Sequence, residues 1–187
     1  MILYIKNMVC HRCILAVEHE AKNLNLEIAS LQLGELKLKT QPTNSILSQF
    51  KKNLNTLGFE ILDNSKQQLI EQIKIAIIEY IQLDTDYTHQ NFSHILTKKI
   101  NKDYSLLSNL FSTVEGITIE KYLILQKIEK AKELLIYNEL SLSEIANKLH
   151  YSSVAHLSSQ FKKITGLTPS HFKNLGIDKR LALDQVG

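Results

Sequence analysis

Tryptophan is absent from this chain, and proline (2), glycine (6), cysteine (2) and methionine (2) are all scarce among its 187 residues. So little proline and glycine excludes collagen-like repeats and the Pro-rich or Gly-rich linker types, and it leaves helices free to run long. Two cysteines exclude a disulfide scaffold. With 44% hydrophobic and 22% charged residues the composition is not that of a disordered chain, and it suffices for one generous domain or two small ones. No apolar run reaches the roughly 18 to 20 residues of a membrane span, and the N-terminus shows no charged leader or small-residue cleavage site, so a cytoplasmic protein is expected. A charge of one sign is missing too. The 22 Lys+Arg against 19 Asp+Glu give +3, a balance that neither drives nor forbids nucleic-acid binding.

The first third alternates strand and helix. Ile2 to Met8 has period two, Cys13 to Leu26 has helical spacing through Ile14, Val17, Ala21 and Leu24, and Ile28 to Leu33 with Glu35 to Thr40 flank Gly34 as a hairpin. Ser45 to Leu57 is again helical, Gly58 ends it, and Phe59 to Leu62 reads as a last short strand. The order βαββαβ predicts a ferredoxin-like sandwich over residues 1–64. Beyond Asn64 only helical patterns remain, which makes the expected class α+β: a ferredoxin-like domain followed by an all-α domain. Ser65 to Leu83 forms a helix with an apolar stripe broader than one partner requires, through Leu69, Ile70, Ile73, Ala76, Ile77, Tyr80 and Ile81 with Ile75 and Ile78 beside them. It reads as a connector, with the polar segment 84–90, whose face either pairs two protomers as a homodimer or packs on its own domains.

Residues 91–175 contain an internal repeat, and 176–187 form a tail. At an offset of 50, Leu107 matches Leu157, Ser108 matches Ser158, Phe111 matches Phe161, Gly116 matches Gly166, Thr118 matches Thr168, and Tyr122 stands opposite Phe172. In each copy a helix ends at a Gly suited to a left-handed residue, and a Thr two positions on can cap the next helix. Pro169 takes the favoured first helical position. Upstream, Ser141-Leu-Ser-Glu144 is a capping box opening Leu142 to Leu149; a turn from His150 to Ser153 leads to Val154 to Thr165. Short helix, tight turn, longer helix is a helix-turn-helix. The first copy runs Phe92 to Ile100, a turn near Asn101 to Asp103, then Tyr104 to Glu115, and Ile119 to Asn138 joins the two as one long helix.

The motifs Leu140-Ser-Leu-Ser-Glu-Ile-Ala-Asn-Lys-Leu149, Tyr151-Ser-Ser-Val-Ala-His-Leu-Ser-Ser-Gln-Phe161 and Thr165-Gly-Leu-Thr-Pro-Ser-His-Phe172 carry a resemblance to the DNA-binding domain of AraC/XylS-type transcription regulators. The resemblance covers about eighty residues and implies two helix-turn-helix units that place helices in successive segments of the major groove of double-stranded DNA. The residues support it on their own account. With Leu157 and Phe161 inward, Ser152, Ser153, Ala155, His156, Ser159 and Lys162 face outward, where small hydroxyls and a methyl permit close approach to bases and His156 can donate or accept. Lys162 and Lys163 suit phosphates, and Ser143 to Lys173 carries four Lys against one Glu. In the first unit Ser105, Ser108 and Asn109 are the candidates, Asn109 for adenine, while Asp103 and Glu115 repel phosphate. The family usually has Gly in the turn where this chain has His150.

Both cysteines lie in Met8-Val-Cys10-His-Arg-Cys13, at the turn from first strand to first helix. In this respect residues 1–64 resemble the heavy-metal-associated domain of copper chaperones and metal-pumping ATPases, although Asn7 stands where that family usually has Gly. The resemblance implies a soft-metal site at Cys10 and Cys13. Two thiolates three residues apart converge on one ion at the positive end of a helix. Two soft, nearly linear sulfur ligands suit monovalent copper, or mercury; zinc needs further ligands, which His11 or a second protomer could supply, and the isolated protein could carry none. Met8 reads as core and not as a ligand, Phe59 matches an aromatic beneath the family's metal loop, His19 reads as surface, and Arg12 either steadies a thiolate or is solvated.

No nucleophile constellation and no Gly-rich phosphate loop is present, so an enzyme is not expected. The reading is a sequence-specific transcription regulator triggered by a soft metal. Its alternative is a regulator whose N-terminal domain senses thiol redox state or a protein or small-molecule partner.

Overall fold

The computed structural model describes residues 1–62, 64–82 and 91–175. It divides into two compact units, Met1–Ala76 and Ile77–Gly187. Leu83, segment 84–90 and the tail 176–187 of the sequence reading lie outside the described residues. Among the described residues no helix is long and apolar enough to cross a membrane.

In the first unit the order is β1 (Ile2–Lys6), α1 (His11–Asn23), β2 (Ile28–Gln32), β3 (Glu35–Leu38), α2 (Asn44–Thr56), β4 (Glu60–Leu62) and the start of α3 (Ser65–Gln82). The strands form one sheet in the order β2-β3-β1-β4, with every neighbouring pair antiparallel. Alternation decides the inner face: Leu3 and Ile5 of β1 and Leu36 and Leu38 of β3 are buried while the residues between them are not. Onto that face α1 lays Val17 and Ala21 and α2 lays Phe50 and Leu54, each pair one helical turn apart, and Met8, Phe59 and Ile61 complete the core.

Left-handed residues set several boundaries that differ from the sequence reading. β1 stops at Lys6, short of Met8, because Asn7 takes φ +71 and turns the chain. α1 begins at His11, ahead of Cys13, and ends at Asn23, short of Leu26, with Asn25 at φ +52 just beyond it. Asn reaches this region at little cost because its short amide side chain can bond locally, so in a chain poor in glycine it does glycine's work. One glycine is constrained on two counts: Gly34 sits at φ +70 in the hairpin turn, and a Cβ there would lie 1.9 Å from Ile75 Cδ1, so the Ile75 side chain would have to shift.

Along the broad apolar stripe of α3, Ile70, Ile73, Ile75, Ala76, Ile77, Ile78, Tyr80 and Ile81 are buried and Leu69 is half-buried.

The second unit continues with α4 (Phe92–Ile100), α5 (Tyr104–Glu115), α6 (Ile119–Tyr137), α7 (Leu142–Lys148), α8 (Val154–Thr165) and α9 (Pro169–Leu175). The repeat reappears in side-chain geometry. Phe111 meets Tyr122 at 5.5 Å and 68°, and Phe161 meets Phe172 at 5.5 Å and 72°. Such edge-to-face pairs contribute about 0.5–1.5 kcal/mol beyond the burial of the rings. Leu107 and Leu157 are fully buried beside them. Gly116 (φ +72) and Gly166 (φ +79) close α5 and α8, and the hydroxyls of Thr118 and Thr168 accept from the backbone of Lys121 (3.1 Å) and His171 (3.3 Å) to open α6 and α9. The capping box at α7 is complete: Glu144 N donates to Ser141 Oγ (3.3 Å) and Ser141 N donates to the Glu144 carboxylate (2.7 Å).

α6 is buried on more than one face. Tyr122, Ile128, Ala131 and Leu135 are buried, and so are Gln126, Lys127, Glu129 and Lys132, with Glu129 paired to Lys132. Leu125 and Ile136 are half-buried.

Candidate nucleic-acid interface and thiol pair

α8 presents an outward face of small and basic side chains. Ser152, Ser153, Ala155, His156, Ser159, Lys162 and Lys163 are all exposed, opposite buried Leu157 and Phe161. The face is partly pre-arranged. Ser153 caps the helix by accepting from His156 N at 3.1 Å, and Ser152 Oγ lies 3.0 Å from His156 Nδ1. The imidazole and the Tyr151 ring form a T-shaped pair, 5.2 Å between centroids and 89° between planes. Engaging Nδ1 in this way leaves Nε2 as the ring atom available to a base or phosphate. No acidic side chain lies in the first turn, and Lys162 and Lys163 occupy the last.

α5 holds the same position in the first copy but a different surface. Ser105 and Asn109 are exposed and Ser108 is half-buried. The Ser105 hydroxyl donates to Asp103 Oδ1 (2.5 Å), and its backbone N–H bonds the same oxygen at 2.8 Å. These bonds hold the Asp103 carboxyl below its ordinary range, so the cap of α5 is an anion where the cap of α8 is a neutral serine. At the far side Tyr104 OH donates to Glu120, which is held below its ordinary pKa mainly by that bond and stays ionised. Leu106, absent from the sequence-read candidates, is 51% exposed on this face. Its helical position, between Ser105 and Asn109 on the outward side, was the available signal.

The turn before α8 is built around His150, whose φ of +55 is the left-handed conformation that glycine usually supplies there. Its ring lies 4.7 Å from that of Tyr80, and its buried Nε2 has no hydrogen-bond partner among the described residues. The ammonium of Lys127 sits 5.5 Å from the Tyr80 ring and 5.2 Å from the Tyr151 ring. Tyr151 in turn donates to Gln160 Oε1 of α8 at 2.9 Å. Burial drives Lys127 down to about 8 and Tyr151 up to about 12; His150 falls below its usual value through burial and the Lys127 charge. This knot of aromatic and cationic groups supports the α7–α8 turn, and the sequence reading missed it.

In the first unit the half-buried Cys10 and Cys13 stand at the β1–α1 turn with Sγ atoms 3.5 Å apart. Cys10 is the N-cap of α1, with its side chain free of capping duty. Burial pushes the Cys10 thiol up, but backbone N–H groups of Cys13 and Arg12, the Cys13 thiol and the Arg12 charge outweigh it, and the net shift is down. Deeper burial keeps Cys13 above its ordinary value. Met8 is fully buried, Phe59 is in the same core, and His11 and His19 are exposed. The residue in the place of the family's Gly is accommodated: Asn7 donates from Nδ2 to Gly58 O (2.8 Å) and from its backbone to Glu71 Oε1 of α3 (3.1 Å). Among the described residues no group of three or more His, Cys, Asp or Glu side chains gathers into a metal cluster.

Residues 96–174 match the family model described as "Helix-turn-helix domain". The Bifunctional transcriptional activator/DNA repair enzyme AdaA of Bacillus subtilis (strain 168) is 28% identical over 107 residues, 54% of this chain and 51% of that protein. The Raffinose operon transcriptional regulatory protein RafR of Pediococcus pentosaceus is 31% identical over 111 residues, 56% of this chain and 40% of that protein. The chain thus spans about half the length of the curated relatives it matches. The solved C-terminal domain of AraT, a response regulator from Geobacillus stearothermophilus, is similar in fold with a TM-score of 0.51 at 23% identity, covering 64% of this chain and 95% of that one. The matched segment runs from within α4 into α9 and so takes in both α5 and α8.

Proposed function

We propose that this chain is a sequence-specific, DNA-binding transcription regulator of the AraC/XylS type whose N-terminal domain responds to a soft metal ion at Cys10 and Cys13. The observation that carries the DNA half is the doubled helix-turn-helix with matched cores and caps, one copy of which presents Ser152, His156, Ser159, Lys162 and Lys163 outward. The domain reading is 1–64 for sensing, 65–90 as connector and 91–175 for DNA. It places the protein in the cytoplasm, where thiols stay reduced.

Residues 1–64 are read as a ferredoxin-like domain of heavy-metal-associated type. The strand order β2-β3-β1-β4 and the thiol pair at the β1–α1 turn support that reading. A pair of sulfurs with no third ligand gathered beside it among the described residues serves a two-coordinate soft ion and leaves zinc half its usual four ligands, which favours monovalent copper. When bound, such an ion is held by two thiolates and ties the loop to the start of α1. The loop is bonded to α3 through Asn7 and Glu71, so a change at the thiols reaches that helix directly. For regulation the metal must favour either the DNA-competent arrangement or its rival by differential affinity.

The unequal thiols favour a second reading. A lowered Cys10 beside a raised Cys13 at 3.5 Å is arranged for closure of a disulfide when an external two-electron oxidant such as a peroxide takes up the two electrons and two protons, which would make the unit a redox sensor. Titrating the reduced protein with monovalent copper and with zinc, and measuring thiol protection and DNA affinity on each form, separates the two. Uptake of one copper ion with both thiols protected and a shifted DNA affinity is expected, and Cys10→Ser with Cys13→Ser abolishes it. No uptake, with DNA binding intact, transfers the trigger to oxidation or to a partner. In either case Cys10 reacts with iodoacetamide faster than Cys13 at neutral pH.

A further inference from the structure

The two outward faces differ position by position under the 50-residue offset: Ser105 against Ala155, Leu106 against His156, Asn109 against Ser159, Ser112 against Lys162, Thr113 against Lys163. α8 therefore has two cations and a neutral cap where α5 has none and an anionic cap, Asp103. Without cations α5 can meet phosphate only through uncharged hydrogen bonds from hydroxyls and backbone N–H groups, so what distinguishes it is the means to contact bases. Asn109 is exposed at the centre of the face and matches the paired donor and acceptor of adenine; beside it the half-exposed isobutyl group of Leu106 is the apolar contact that a thymine methyl requires.

Resting on the DNA-binding reading above, we propose that the two units divide the work: α8 anchors the protein on phosphate, while α5 reads an A·T-rich half-site, Asn109 pairing with adenine and Leu106 packing on a thymine methyl group. A run of apolar residues through Leu106, Leu110 and Val114 would also suit a protein partner, but Ser105 and Asn109 interrupt that surface with polar groups, and the equivalent position in α8 is the exposed, polar His156.

The test starts by selecting a preferred duplex from a randomised pool with the full-length reduced chain. Each thymine of the selected site is then replaced by uracil, which removes only the methyl group. At the contacted thymine, wild-type affinity is expected to fall about three- to fivefold, the effect of one buried methyl-sized group. Leu106→Ala lowers affinity for the thymine duplex by a similar factor and abolishes the difference between thymine and uracil; Leu106 is exposed, so the variant folds. Uracil without effect at every position, or a selected site with no A·T-rich half, overturns the proposal even though DNA binding stands. Loss of affinity in Leu106→Ala with no uracil effect assigns the residue to a protein contact and overturns it as well. A pool that yields no enriched duplex overturns the DNA-binding reading and the proposal together.

Discussion

The two helix-turn-helix copies share their interior and differ on their surface. Leu107 and Leu157, Phe111 and Phe161, Gly116 and Gly166, and Thr118 and Thr168 hold equivalent places to the detail of ring angles and cap bonds. On the outside an anionic cap faces a neutral one, and Ser112 and Thr113 face Lys162 and Lys163. Folding constrains the first set, because a missing ring or cap is not recovered elsewhere, and leaves the second free to diverge toward different tasks.

The comparison breaks most visibly in the core. Phe111→Ala and Phe161→Ala are each expected to cost about 3–5 kcal/mol in urea unfolding, with similar values for the two. A large inequality would show that the copies are not energetically equivalent.

On the surface the copies should behave differently. Lys162→Ala with Lys163→Ala lowers the slope of log affinity against log salt by roughly 2, about 0.9 for each phosphate no longer neutralised. Ser112→Ala with Thr113→Ala leaves the slope unchanged. Equal effects from both pairs would erase the division between anchoring and reading helices.

Caps come next. Thr118→Ala and Thr168→Ala should each destabilise by about 1 kcal/mol, seen as parallel shifts in the urea midpoint.

The smallest effect concerns the turns. His150 is held below its usual pKa in the folded state by burial and the Lys127 charge, so its contribution to stability is fully present above its unfolded value near 6.5 and is lost as pH falls through the folded value. A melting series from pH 7.5 to 5 should show this acid-side loss in the wild type and less of it in His150→Gly. At the left-handed residue that closes α4 in the first copy, Asn101→Gly leaves the profile between pH 7.5 and 5 unchanged, since the amide side chain it removes does not titrate. Lys127 adds a signature at high pH. Its folded value of about 8 lies below the ordinary 10.5, so stability rises between those values, and Lys127→Met flattens the rise.

Much of this was legible in the residues. The 3.6-residue period located α5 and α8 and their outward faces, and the Gly and Thr positions located their ends, because both signals are local and repeated. What was not legible depends on tertiary placement. Lys127 has the composition of a solvated helix residue, and only the positions of Tyr80 and Tyr151 make it a buried cation. The departures at Asn7 and His150 looked like defects against glycine, yet both take the left-handed conformation, Asn7 with hydrogen bonds to Gly58 and Glu71, distant in the sequence, and His150 with its ring against Tyr80. Hydroxyls counted as free readers serve the fold as well: Ser153 caps α8 and Ser105 is bonded to Asp103. The width of the α3 stripe left a second protomer and the chain's own domains equally open, because a sequence does not show how much apolar surface its own chain will cover.

The central claim is that two helices of one chain enter DNA together. Hydroxyl-radical footprinting on the selected duplex tests it most directly. Two protected segments about one helical turn, roughly 10 base pairs, apart are expected, with Lys162→Ala and Lys163→Ala weakening both as the anchor is removed. A single protected segment would contradict it and leave α5 without a place on DNA.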